Sequence, residues 1–181
     1  MSKKIDSKKI LELFFNSPSR EFHIREAAKI TGINPMTTSK YLEEFRKSGI
    51  LIKNKERGHV LYSANAEDRI FRQEKIHYNV IRMLKSGMIN FIEKEMNYPE
   101  CIIIFGSFAK GENIPTSDID IFILSADKRK MPMESFEDKL GAKIQLFIHS
   151  KKEFERMKRD NKGLFNNIAN GIKLSGFLEV T

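Results

Sequence analysis

Apolar residues fall at helical steps in the first third of the chain and in short unbroken runs in the last. Ile10, Leu11, Phe14 and Phe15 recur at steps of three and four, which predicts a first helix with Asp6 or Ser7 as its N-cap. SPSREF breaks it. A second helix is expected over about 23–30, with Ile24, Ala27 and Ala28 on one face. Thr31-Gly32 ends it, because glycine suits a left-handed C-cap. Asn34-Pro35 starts a third helix, Asn as N-cap and Pro at the first helical position, with Thr38, Leu42 and Phe45 turned inward. Ser48-Gly49 stops it. ILIKN, KERG and HVLYSA then read as strand, turn and strand.

Residues 66–97 carry Ile81, Leu84, Met88 and Ile92 at steps of three and four, the pattern of an amphipathic helix, with Gly87 as a candidate break. His77 and Tyr78 on this stretch read as packing or surface residues. From Cys101 the period shortens. CIIIF, IDIFIL and KIQLFIHS are expected strands, with a charged loop and a short helix between the second and third. Ser150 and Glu153 form a capping-box signature, and two short helices are expected at about 151–159 and 162–170, closed by Gly171. The pattern predicts an α+β protein of two domains.

Composition narrows the class. Of 181 residues, 40% are hydrophobic and 31% charged, which favours a folded protein over a disordered one. No apolar run reaches the roughly 20 residues of a membrane span, and the charged MSKKIDSKK start does not read as a secretory signal. A cytoplasmic protein without membrane partners is expected. The single cysteine, Cys101, excludes an intrachain disulfide and a Cys-rich zinc site, and reads as a buried small hydrophobe. The net charge is +8, and residues 1–65 hold 13 Lys/Arg against 7 Asp/Glu. That asymmetry points to an anionic partner for the first third, nucleic acid above all. A lysine-rich solvated surface is the plainer alternative.

Helix, short turn, helix, then hairpin is the order of a winged helix-turn-helix. The stretch IREAAKITGINPMTTSKYLEEFRKSGIL resembles the DNA-binding domains of many prokaryotic regulators in its Gly32 turn, threonine-rich helix start and terminal SGIL. The resemblance implies that the third helix enters the major groove with Met36, Thr37, Ser39 and Lys40 outward. It gives the wing residues Lys53, Lys55, Arg57 and His59 to phosphates or the minor groove. Such domains often dimerise, so a homodimer is an expectation. A winged helix serving only protein contacts is the alternative, favoured by Glu43 and Glu44 on the third helix.

The most informative stretch is residues 105–124, FGSFAKGENIPTSDIDIFIL. A strand running through Gly106-Ser107 into a helix presents free backbone N–H groups to an anion, with Lys110 one turn on. Asp118 and Asp120 lie two apart on a strand and so share a face, their side chains roughly 6–7 Å apart. Two carboxylates on one face can hold Mg²⁺ against phosphate oxygens, and Ser117 can orient them. A solvated strand entry is the plain reading of an isolated DxD; here the pair is joined to GS by a short spacer, with an apolar run before each half.

Gly106, Ser107, Lys110, Gly111, Ser117, Asp118 and Asp120 resemble the signature of the DNA polymerase β-like nucleotidyltransferases, in particular the minimal nucleotidyltransferases, over about residues 98–150. The resemblance implies a nucleotidyltransferase-like mixed sheet over 98–181, behind a winged helix at 1–65 and the connecting helix at 66–97. It implies Asp118 and Asp120 as catalytic metal ligands for Mg²⁺ or Mn²⁺. Gly106, Ser107, Lys110 and Ser117 would bind a nucleoside triphosphate, ATP being the expected one. The product would be a nucleotidylated hydroxyl on a nucleic acid or on a small toxin-like partner protein, as for antitoxins of this type. The family carries a third carboxylate on a later strand, where this chain has Gln145. An amide cannot take a proton. Glu134, Glu137 or Asp138 would serve only if the loop folded back; a solvated helix is their plainer role. Two readings stay open: a transferring enzyme, and a regulator that binds nucleotide without turnover.

Overall fold

The computed structural model describes residues 2–56 and 58–179. The chain divides into two compact units between Lys75 and Ile76.

In the first unit the order is α1 (Ser2–Asn16), β1 (Phe22–His23), α2 (Ile24–Thr31), α3 (Pro35–Lys47), β2 (Leu51–Glu56) and β3 (His59–Ala64). The apolar face of α1 packs as its spacing predicts: Ile10, Leu11, Phe14 and Phe15 are buried, and Phe14 meets Phe22 edge-on at 5.2 Å. The helix begins at Ser2, so Asp6 and Ser7 lie within it rather than capping it. Gly32 takes the left-handed C-cap of α2 at φ 72°. Asn34 caps α3 by accepting from Thr37 N–H at 2.9 Å, with Pro35 opening the helix. Thr38 and Leu42 point inward, fully buried. The hairpin β2–β3 is joined by β1, a two-residue strand that the sequence did not announce, in an antiparallel sheet of order β1-β3-β2.

Helix α4 (Arg69–Ser86) carries the chain into the second unit. Gly87, at φ 83°, separates it from α5 (Met88–Glu95). The 66–97 stretch is therefore two helices, broken at the expected glycine. There follow β4 (Cys101–Phe105), α6 (Gly106–Lys110), β5 (Ile119–Leu124), α7 (Glu134–Leu140), β6 (Ile144–His149), α8 (Lys151–Asp160), α9 (Lys162–Ala169) and β7 (Ile172–Gly176). The four strands form a mixed sheet of order β6-β5-β4-β7, in which β4 is antiparallel to both neighbours and β5 is parallel to β6.

Both faces of this sheet are covered, which is why its central strands read as unbroken apolar runs. Ile102, Ile104, Ile119, Ile121 and Ile123 pack with Met88, Ile92, Phe136 and Leu140 on one side. Cys101, Ile103, Phe105, Phe122 and Leu124 pack with Phe154, Met157 and Ile168 on the other. Cys101 is the buried hydrophobe expected; burial pushes its thiol up to about 11. The capping box at Ser150 is formed with Glu153. Strand β7 was not assigned from the sequence: residues 172–176 pair along β4. Among the described residues no helix is long and apolar enough to cross a membrane.

Candidate functional site

The end of β4 and the start of β5 lie side by side, with Phe105 opposite Asp120. The chain then turns at Gly106, whose φ of 69° is a left-handed conformation that a side chain disfavours. A Cβ built at Gly106 would run into Oδ2 of Asp120. The Gly-Ser turn and the second aspartate are thus in direct apposition. Asp118 and Asp120 alternate with Ile119 and Ile121, which are buried on the opposite face. Asp118 stands at the strand mouth, where Ile119 N–H donates to Lys143 O at 2.8 Å and ties β5 to the start of β6.

The parallel register sets Asp120 opposite Gln145. The Gln145 amide Nε2 donates to Asp118 Oδ2 at 2.5 Å. Gln145 therefore stands at the aspartate pair, where the sequence put it, and supplies a neutral amide. The Asp120 carboxyl is pushed above its ordinary value of 3.8, first by burial and then by the charge of Asp118. A raised carboxyl favours the fold at low pH and disfavours it as pH rises through its titration. At neutral pH the pair is electrostatically unfavourable, and a cation between the two groups would relieve it. Two carboxylates on one face fit a Mg²⁺ ion whose remaining ligands are phosphate oxygens and water.

The other expected contributors divide. Ser107 lies in the first turn of α6, a helix of five residues. Lys110 is exposed at its end, with no ion-pair partner among the described residues. Ser117 does not orient the aspartates through its acceptor side: its hydroxyl accepts from Ile114 N–H at 2.9 Å and closes a turn. Glu137 binds Lys143 Nζ at 2.7 Å and Ile144 N–H at 3.0 Å, which hold its carboxyl below the usual range. Glu137 and Asp138 border the same cleft of about 410 Å³ as Asp118. Even so, among the described residues no three His, Cys, Asp or Glu side chains gather as a metal site. A slightly larger cavity of about 470 Å³, lined by Glu100, Phe154 and Phe177, holds none of the signature residues; chemistry and not size selects the site.

In the first unit Met36 is the most exposed of the helix residues expected to face outward, at 85%, with Lys40 exposed beside it. Thr37 and Ser39 are half-buried. Lys40 lies 3.9 Å from Glu44. Lys55 and His59 are exposed on the hairpin; Arg57 lies outside the described residues. Lys53 differs: its Nζ is held by Glu43 Oε1 at 2.6 Å. Glu43 also accepts from Arg46 Nε at 2.8 Å and from the Tyr62 hydroxyl. The carboxylate that looked out of place on a DNA-facing helix is the tie between α3 and the hairpin, a role that a contact ten residues away concealed.

Lys53, then Tyr62 and Arg46, bring Glu43 down from 4.5 to about 2, while burial first and Glu43 second push the Tyr62 hydroxyl up. A depressed carboxyl stabilises the fold above its unfolded value and ceases to do so as pH falls through the folded one. Stability from Glu43 should therefore be complete above about 4.5 and fade towards about 2. Glu43→Gln should cost about 1–2 kcal/mol at neutral pH, the worth of charge-assisted hydrogen bonds at a half-exposed site. It should also flatten the acid limb. Urea unfolding from pH 2 to 7 checks both; equal stability with parallel acid limbs would remove Glu43 from this role.

Residues 88–175 match the family model described as Polymerase beta, Nucleotidyltransferase. That segment, a little under half of the chain, runs from α5 to β7 and is similar to nucleotidyltransferase domains. No curated protein and no solved structure matches the chain.

Proposed function

We propose that the second unit binds a Mg²⁺–nucleoside triphosphate, with ATP the expected nucleotide, and that the first unit binds duplex DNA. The apposition of Gly106 and Asp120 carries the nucleotide reading: a tight turn followed by a helix start abuts a carboxylate whose charged form burial and the neighbouring Asp118 make unfavourable. In this reading Asp118 and Asp120 hold the metal through β5, and Gln145 turns its amide oxygen towards it. Gly106 and Ser107 receive the terminal phosphates, and Lys110 supplies charge from the end of α6. Bound Mg²⁺ would supply neutralisation of phosphate charge.

Transfer of the nucleoside monophosphate to a hydroxyl is the second reading, favoured by the nucleotidyltransferase match. It requires a group that relieves the acceptor of its proton. Gln145 cannot do so, and Glu137 is committed to Lys143 and Ile144. Binding without turnover, as in a nucleotide-responsive regulator, fits those residues better. The acceptor in the transfer reading is a protein or nucleic-acid hydroxyl, a small toxin-like partner among them.

Titration calorimetry of the wild type with a non-hydrolysable ATP analogue tests the binding reading: heat with Mg²⁺, none after chelation. No binding with Mg²⁺ or Mn²⁺ would end it. Labelled triphosphates with cell extract test transfer. Gln145→Glu provides a third carboxylate at an exposed position. It should tighten Mn²⁺ about tenfold, equivalent to about 1.4 kcal/mol, and raise labelled transfer if the domain turns over. Unchanged Mn²⁺ affinity would place residue 145 outside the metal's reach.

The DNA reading is supported by the order of α2 and α3 followed by the β2–β3 hairpin, an order like that of a winged helix, and by the charge excess of residues 1–65. A gel shift that weakens with salt, and weakens further on replacing Lys40 and Lys55, is the expected result. A homodimer would appear in nuclease protection of the bound DNA as a two-site footprint.

A further inference from the structure

The short helix α6 has a single turn and cannot hold itself by its own hydrogen bonds. The loop that follows it, residues 111–118, is tied to the helix where Glu112 N–H donates to Ser107 O at 3.0 Å, and closes a turn where Ser117 N–H donates to Ile114 O at 3.0 Å. Yet the site needs Gly106-Ser107, before this segment, to stay against Asp118 and Asp120 after it. One buried side chain touches both halves. Asn79 on α4 is 3% exposed. Its Nδ2 donates to Phe108 O at 3.0 Å and to Asn113 Oδ1 at 2.8 Å. A main-chain carbonyl can only accept, so the group facing Phe108 must be the NH₂ end of the amide. Both of its hydrogens are then spent, one on the helix and one on the loop.

We propose that Asn79 is a positioning residue for the nucleotide, the clamp that fixes α6 and its phosphate-facing turn over a metal site that β5 holds independently. The inference rests on the nucleotide reading above. Its logic is an asymmetry. The metal carboxylates are held without Asn79, since Ile119 N–H bonds Lys143 O and Gln145 bonds Asp118. The turn at Gly106-Ser107 depends on α6, whose last turn Asn79 secures through Phe108 O. Loss of the clamp therefore separates phosphate binding from metal binding. Asn79→Asp is close to isosteric and replaces the donor with an acceptor facing the Phe108 carbonyl.

The test compares Mn²⁺ alone, by paramagnetic resonance, with Mn²⁺ plus the non-hydrolysable ATP analogue, by calorimetry. For Asn79→Asp, Mn²⁺ affinity is expected to stay within about twofold of wild type, while the analogue weakens about tenfold or more. Backbone amides of residues 106–113 should exchange faster. If Asn79→Asp does not fold, Asn113→Ala removes the loop arm of the clamp and should weaken the analogue selectively, by about threefold. Equal loss of both ligands would mark a merely structural role, and unchanged binding of both would dismiss the clamp; either overturns the proposal. Failure of the wild type to bind the analogue would appear before any substitution is compared. It would overturn the nucleotide reading itself and the clamp with it.

Discussion

Exchange of Asp118 and Asp120 together for asparagine is expected to abolish ATP–Mg²⁺ binding without loosening the fold. The two carboxylates stand at the start of β5, and their positions alternate with buried isoleucines, so both face one ligand. Removal of two charge-bearing ligands from a partly desolvated metal site should cost roughly 3 kcal/mol or more, at least a hundredfold in affinity. The accompanying sign distinguishes this from damage. Asp120 titrates above its ordinary value, pushed by burial and then by Asp118, so the charged pair is a burden to the empty protein at neutral pH. The double variant should therefore melt no lower than wild type, and the gap should close as acid protonates Asp120. Calorimetry for binding and thermal unfolding at pH 4 and 7.5 decide it. Retained binding would dissolve the site; lost binding with a lower melting point would assign the effect to unfolding.

Gly106→Ala should have the next largest effect. Two costs coincide at this position. A left-handed backbone at φ 69° disfavours any Cβ by about 1–2 kcal/mol. In addition, the new methyl would meet Oδ2 of Asp120 and force the carboxylate aside. Gly87→Ala is the matched control, because Gly87 has φ 83° with nothing within 4 Å of a built Cβ. Both variants should lose about 1 kcal/mol of stability from the backbone. Only Gly106→Ala should also weaken the ATP analogue, by tenfold or more. If the two variants bind alike, the contact between the turn and Asp120 has no part in recognition.

The apolar runs CIIIF and IDIFIL identified the central strands because a strand covered on both faces needs no alternation, and the glycine and proline signals gave the ends of α2 and the start of α3. What escaped notice had no periodicity to carry it. Strand β7 is five residues with a lysine, a serine and a terminal glycine, half-buried at the sheet edge, so it resembles a loop in sequence. Strand β1 is two residues and exists only because β3 lies beside it. Asn79 reads as one polar residue on an amphipathic helix, and its partners lie 29 and 34 positions away. Lys53 looked free because its carboxylate belongs to a different element. The DxD pair and Gln145 were legible because a two-residue step fixes a shared face and because parallel strands keep register; their hydrogen bond was not, since it spans 27 positions.

The placement of β7 also sets an order of events during synthesis. Strand β4 lies between β5, which follows it closely in the chain, and β7, which is among the last described segments to be made. Until residue 176 has left the ribosome, one edge of β4 is unpaired and apolar, the kind of surface on which chains aggregate. The first unit, whose farthest strand pairing sets Phe22 against Tyr62, is complete earlier in synthesis. A nascent chain would thus carry a formed first unit well before its second sheet is complete, and any nucleotide response of the kind proposed above would wait for β7 to pair.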